Sequence, residues 1–212
     1  MENKKSMKKK KIGIMGGTFN PIHFAHLLLA ESAYNQFDLD EVLIMPTKNT
    51  YYKQMRNLVD ENDRVAMVQL AIGDNPHFSL SKLELDREGT TYTVETLRML
   101  TKEHPDCEYY FIMGADSLFH IESWREPEEI FAMTNILVAG RGSEGDGSLL
   151  TSQIAYLNDK YDAKIYHLKS PNMEISSHNI RKRVYNGDSI RYLLPREVAD
   201  YIFQKGLYGQ GD

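Results

Sequence analysis

His23 and His26 stand three residues apart, shortly after a Gly-Gly-Thr-Phe run that spans Gly16, Gly17, Thr18 and Phe19. Side chains three apart share a face of a helix's first turn, so the pair presents two imidazole donors together. The two glycines let the backbone approach an anion closely, with N–H groups turned inward. A helix starting just beyond points its N-terminus, a partial positive charge, at the same place. The chemistry on offer is that of an anion cradle with two added donors. Near the other end, Ile175-Ser176-Ser177-His178-Asn179-Ile180-Arg181 supplies a second set. A serine before a helix is a good N-cap. Arg181 follows Ser177 by four residues, one turn in and on the same side. Hydroxyl, free N–H groups and guanidinium then converge on one anion.

Such groups need rigid elements to hold them. Lys11–Met15 reads as a short buried strand, with Ile12 and Ile14 as apolar members, stopped by Gly16 and Gly17. Leu27, Ala30, Tyr34 and Phe37 then recur at helical spacing. Glu41–Met45 is a second apolar strand ended by Pro46, and 47–59 is polar and irregular. Helices are expected over Asp60–Ile72, Thr93–Lys102, Leu149–Tyr161 and Ser177–Tyr185. Strands are expected over Glu108–Met113, Ile136–Ala139 and Lys164–Leu168, with Phe78–Leu85 alternating loosely. Arg141–Gly147 reads as a mobile loop. Pro195 suits the first residue of a last helix and Gly206 its stop. Strands alternating with helices indicate an α/β fold, a doubly wound parallel sheet with helices on both faces. Ligands of such sheets bind outside the carboxyl ends of the strands, where both motifs fall. A single domain is expected over residues 11–208, after a disordered lysine-rich tail at 1–10.

Composition removes several function classes. Of the 212 residues, 42% are hydrophobic and 26% charged, the balance of a soluble globular protein. Apolar runs such as Leu27–Ala30 and Ile136–Ala139 are far short of the ~20 residues of a membrane span. Cys107 is the only cysteine, so no intrachain disulfide and no cysteine zinc cage is available. The net charge is −5, and without the six lysines and one glutamate of residues 1–11 it is −10. So acidic a body argues against a nucleic-acid face. No apolar stretch follows the lysines to make a secretory signal, so a cytoplasmic location is expected. There is no P-loop and no G-x-S-x-G elbow, and Gly13, Gly16 and Gly17 after the first strand do not spell G-x-G-x-x-G. A homo-oligomer is left open.

The run GGTFNPIHFAH resembles the GTFDPxHxGH signature of nucleotidyltransferases, with Asn20 in place of Asp and Ala25 in place of Gly. ISSxxxR resembles their second signature, IS[ST]TxxR, with His178 replacing a small hydroxyl residue. Other features match in order and spacing: Tyr92-Thr93 opening a helix, Gly114-Ala115-Asp116 after a strand, and Trp124 eight residues later. Lys53 falls seven residues after Pro46, with Tyr52 where a histidine is usual, and Arg141 ends a strand. From Lys11 to Tyr208 the chain is similar to the nicotinate mononucleotide adenylyltransferases of bacterial, acid-specific type.

The resemblance implies a Rossmann-like fold and adenylyl transfer from ATP to nicotinate mononucleotide (NaMN). Mg²⁺ would be carried on the ATP phosphates, with no protein metal site. It implies catalytic roles for His23, His26 and Arg181, and ATP binding by Gly16, Gly17, Thr18, Phe19, Ser176, Ser177 and Arg181. Lys53, Tyr92, Thr93, Gly114, Asp116, Trp124 and Arg141 would meet the mononucleotide. By residue type alone, Trp124 also suits a core, Asp116 a helix cap, Lys53 a solvated loop and Tyr92-Thr93 a plain helix start. Pantetheine-phosphate adenylyltransferase, cytidylyltransferase and a non-catalytic nucleotide sensor remain as alternatives.

Overall fold

The computed structural model describes residues 8–48, 58–140 and 144–209. Six strands form one parallel sheet in the order β3-β2-β1-β4-β5-β6. They are β1 (Lys10–Gly17), β2 (Glu41–Pro46), β3 (Phe78–Leu80), β4 (Cys107–Gly114), β5 (Asn135–Ala139) and β6 (Ile165–Leu168). Between and after them run α1 (Phe24–Phe37), α2 (Glu61–Ile72), α3 (Thr93–Glu103), α4 (Ala115–Phe119), α5 (Pro127–Met133), α6 (Glu144–Tyr161), α7 (Ser177–Asn186) and α8 (Arg196–Lys205). A 3₁₀ turn, Ile121–Ser123, joins α4 to α5.

Both faces of the sheet are covered, which is why the central strands read as unbroken apolar runs. Ile12 to Met15 of β1 are all buried. On one face Ala30 and Ala33 of α1, Met67 and Val68 of α2 and Val198 and Ile202 of α8 share a core with Ile44 and Ile112. On the other, Leu97 of α3, Leu118 of α4, Ile130 of α5 and Leu150 and Leu157 of α6 pack with Ile14 and Phe111. Gly13 is forced by this packing, since a Cβ there would fall 2.9 Å from Leu39 Cδ1. The chain runs outward from β1 through β2 to β3, then returns to the other side of β1 as β4. The loops leaving β1 and β4 therefore diverge and open a crevice at the carboxyl edge.

Several boundaries shift from their expected places. β1 begins at Lys10, whose Nζ meets Glu41 Oε2 at 2.8 Å, and keeps Gly16 and Gly17 as its last residues. Residues 1–7 of the lysine-rich tail lie outside the described residues. α6 starts at Glu144, so residues 144–147 of the expected loop are helical. Gly145 and Gly147 have poor helix propensity, but burial of Leu150 and Leu157 downstream carries the helix through them. Pro195 is the N-cap of α8 rather than its first residue, and Gly206 ends it at φ 62°.

Candidate active site

The Gly16–Phe19 run emerges at the carboxyl edge, next to β4. Gly16 is exposed, and a Cβ on it would meet only the Phe111 ring, at 3.8 Å. A Cβ on Gly17 would lie 3.0 Å from the Phe19 ring. Phe19 is buried, and φ 47° places its backbone in the left-handed region that few bulky residues adopt. Its ring meets His26 edge-on, with centroids 5.1 Å apart.

His23 is the N-cap of α1 and is 4% exposed, while His26 is half-buried one turn further. Their rings stack with centroids 3.7 Å apart at 21°. The His23 backbone N–H donates to His26 Nδ1 at 3.3 Å. Burial pushes the His23 pKa down from 6.5 to about 4. Burial, with the neighbouring His23 charge behind it, holds His26 well below the ordinary histidine value. Burial thus favours the neutral form of both rings at pH 7, and a charge on one would further disfavour a charge on the other. A neutral ring whose Nδ1 accepts carries its proton on Nε2, so His26 offers an Nε2–H donor.

The second motif closes on the first. Ser176 caps α7, its hydroxyl accepting from the Asn179 N–H at 3.2 Å. The Ser177 hydroxyl donates to the Pro21 carbonyl at 2.8 Å, and the buried Arg181 donates through Nη1 to the Asn20 carbonyl at 3.0 Å. Asn20 Oδ1 in turn accepts from the Tyr208 hydroxyl at 2.9 Å. An amide in place of the usual carboxylate keeps that acceptor without burying a negative charge. His178 is exposed and Ala25 half-buried.

A second group of residues gathers across the crevice. Gly114 is exposed at the end of β4, where a Cβ would meet nothing within 4 Å. Gly114 is also the N-cap of α4, which places the exposed Asp116 inside the first turn rather than at its cap. Trp124 is half-buried and meets Phe111 edge-on, with centroids 6.2 Å apart. Phe111 is the same ring that borders Gly16, so it links Trp124 to the glycine run. Tyr92 is the N-cap of α3 and Thr93 its first residue. The Arg125 guanidinium lies 4.8 Å over the Tyr92 ring and bonds Glu95 at 2.9 Å, joining the Trp124 segment to α3. Lys53, its neighbour Tyr52, and Arg141 lie outside the described residues.

Four contributors were missed by reading the sequence: Arg64, Lys48, Arg125 and Tyr208. Arg64 had a signal, being a charged residue at helical spacing from buried Val68 and Ala71. The other three act across long stretches of chain and leave no local mark. Among the described residues, no group of three or more His, Cys, Asp or Glu side chains could hold a metal ion. No helix there is long and apolar enough to cross a membrane.

Residues 14–183 match the family model described as cytidylyltransferase-like. A Lachnoclostridium phytofermentans protein named probable nicotinate-nucleotide adenylyltransferase is 52% identical over 199 residues, covering 94% of this chain and 99% of the relative. A Synechococcus protein of the same name is 41% identical, covering 96% and 100%. The solved nicotinic acid mononucleotide adenylyltransferase of Plasmodium falciparum, complexed with NaAD, superposes with a TM-score of 0.78 at 23% identity, over 95% of this chain and 98% of that one.

Proposed function

The chain belongs to the cytidylyltransferase-like nucleotidyltransferases and, among them, to the nicotinate-nucleotide adenylyltransferases, and from that membership we infer its reaction. It transfers the adenylyl group of ATP to NaMN, forming deamido-NAD and pyrophosphate, a step of NAD biosynthesis. The observation that carries the residue-level reading is the stacked, neutral His23–His26 pair beside the Gly16–Phe19 backbone.

The 5′-phosphate of NaMN attacks the α-phosphorus of ATP in line, the new P–O bond forming as the bond to pyrophosphate breaks. The attacking phosphate is already anionic, so no protein nucleophile is needed. Catalysis then rests on positioning and on donors aimed at growing charge. In this reading the N–H groups of Gly16, Gly17, Thr18 and Phe19, with His23 and His26, hold oxygens of the α-phosphate. Ser176, Arg181 and the backbone N–H of Ser177 at the start of α7 hold the β/γ end, since the one proton of the Ser177 hydroxyl is given to the Pro21 carbonyl. Neutral imidazoles suit the task, since they donate without needing a proton from solvent at pH 7.

Lys53 and Arg141 are assigned to the mononucleotide phosphate and Trp124 to stacking on the pyridine ring. Tyr92 and Thr93 line that ring's pocket, near Gly114, and Asp116 accepts from a ribose hydroxyl. Mg²⁺ is assigned to the ATP phosphates, because magnesium keeps several waters and binds through substrate phosphates more readily than in a dedicated protein cage. Mg²⁺ on the triphosphate would neutralise the pyrophosphate leaving group. A cytoplasmic location fits a pair of freely soluble nucleotide substrates.

A matched assay of pyrophosphate release tests the reading, pairing ATP with NaMN, nicotinamide mononucleotide or phosphopantetheine, and NaMN with CTP. NaMN with ATP should lead, with NaMN used at least about ten times more efficiently than its amide. A pocket built to bond a carboxylate rejects a partner that leaves its donors unpaired. Comparable efficiency with acid and amide would overturn the acid-specific assignment, and a preference for CTP or phosphopantetheine would replace the reaction.

A further inference from the structure

We propose that Arg64 is a positioning residue that sets the direction of the Phe19 N–H in the Gly16–Phe19 loop and ties that loop to Thr47 at the end of β2. The proposal rests on the adenylyl-transfer reading and deepens it.

Arg64 is 1% exposed, on the inner side of α2. Its Nη1 donates to the Thr18 carbonyl at 2.9 Å and to the Thr47 carbonyl at 2.8 Å, while Nε is buried with no acceptor among the described residues. A buried guanidinium with an unsatisfied donor is a costly way to fill a core, so its bonds need a purpose. The peptide unit is planar and trans, so a carbonyl and the N–H that follows point opposite ways. Drawing the Thr18 carbonyl toward α2 therefore turns the Phe19 N–H away from it.

Two other carbonyls of the loop are held as well, although the Asn20 peptide has no N–H to direct because Pro21 follows it. Arg181 holds the Asn20 carbonyl and Ser177 the Pro21 carbonyl. The negative ends of the loop's peptides are thus tied to donors from α2 and α7, rather than left to face a phosphate. Phe19 sits in the left-handed region at φ 47°, a conformation that persists only where surrounding contacts over-determine it. Among the described residues, the Arg64 bond to the Thr18 carbonyl is what fixes the plane of this peptide.

The second bond reaches the chain just beyond β2. The Thr47 N–H donates to the Gly17 carbonyl at 2.9 Å, so Thr47 is stitched to the glycine run on one side and to Arg64 on the other. Lys48 follows, and its Nζ donates to the Leu85 and Arg87 carbonyls at 2.9 Å each, on the segment leading to Tyr92. One guanidinium thus joins the glycine run to the end of β2 and, through Lys48, to the segment before Tyr92.

The test compares wild type with Arg64→Met, which keeps length and apolar bulk but no donor, and Arg64→Lys, which keeps a charge. Active sites are counted by binding of a non-hydrolysable ATP analogue, and folding is followed by thermal melting. Per folded site, Arg64→Met should lower kcat about 100-fold, the loss expected when preorganised donors are misdirected. The KM for ATP should move less than about 5-fold, and Arg64→Lys should recover part of kcat. Amide NMR supplies a readout without turnover: adding pyrophosphate should shift the Phe19 N–H in wild type and not in Arg64→Met. A kcat per folded site within twofold of wild type, an unchanged Phe19 response, or failure of both variants to fold would overturn the proposal. Absence of deamido-NAD formation by folded wild type would instead overturn the reaction, with the Phe19 shift still reporting on Arg64.

Discussion

Replacing His26 by alanine removes the donor on which the proposed transition-state stabilisation most depends. Its Nδ1 is taken up by the His23 N–H at 3.3 Å, so the proton that reaches the α-phosphate is on Nε2. Loss of one preorganised donor of this kind costs about 10²–10³ in turnover, or ~2.7–4 kcal/mol. The fold should lose little: one long hydrogen bond and a stacked partner amount to about 1–2 kcal/mol. In a protein of this size each kcal/mol moves the melting temperature by about 2–4 °C. The assay is pyrophosphate release at saturating ATP, NaMN and Mg²⁺, with kcat and KM read separately. His26→Ala should lower kcat by the stated factor with a modest change in the KM for ATP. Conservative variants sharpen the test, because a glutamine amide reaches the place of Nε2 while asparagine reaches only that of Nδ1. Glutamine should therefore recover more turnover than asparagine. Retention of more than half the wild-type kcat by His26→Ala would refute the mechanism at its centre, and better recovery by asparagine would refute the assignment of the proton to Nε2.

Trp124→Ala should raise the KM for NaMN by about 5- to 150-fold, the worth of stacking one base-like ring, and leave that for ATP nearly unchanged. An equal loss for both substrates, or unfolding, would return Trp124 to the core beside Phe111. Because His23 titrates at about 4 when folded and near 6.5 when unfolded, the unfolded chain binds more protons between those values. Stability is thus held above pH 6.5 and falls as the pH drops toward 4, with about 2 kcal/mol lost by pH 5. Denaturant midpoints at pH 7 and 5 should show this slope, and His23→Gln should flatten it; an unflattened slope would mean other groups cause it. Deleting residues 1–9, which leaves the Lys10–Glu41 pair intact, should change neither turnover nor melting temperature, and a large loss of activity would mean the tail reaches the site.

The alternation of strands and helices was legible because burial on both faces leaves a strong mark. Ile12, Ile14 and Val42 fall in unbroken apolar runs, while Leu97 and Leu100 recur at helical spacing. Short elements left a weaker mark. α4 and the turn Ile121–Ser123 span too few residues to show a period, and the start of α5 was signalled only by Pro127 at its first position. The histidine pair and Ser176-Ser177 were legible for a different reason: their chemistry is local, one turn of helix each. What lies behind the loop was not. The bonds from Arg64 to Thr18, from Arg181 to Asn20 and from Tyr208 to Asn20 join residues 46, 161 and 188 positions apart. No local pattern encodes such pairs, because they form only when the sheet brings its carboxyl edge together with α2, α7 and the chain end.

Direct transfer from ATP to NaMN, without an adenylyl-enzyme intermediate, is most directly tested by the stereochemistry at the α-phosphorus. The wild-type enzyme would be given NaMN and one diastereomer of ATP carrying sulfur at that phosphorus, and the configuration of the thio-substituted deamido-NAD determined. A single in-line displacement inverts the centre, and inversion is what the neutral histidines, acting only as donors, require. Retention would mean two displacements through a covalent intermediate, and would contradict the account.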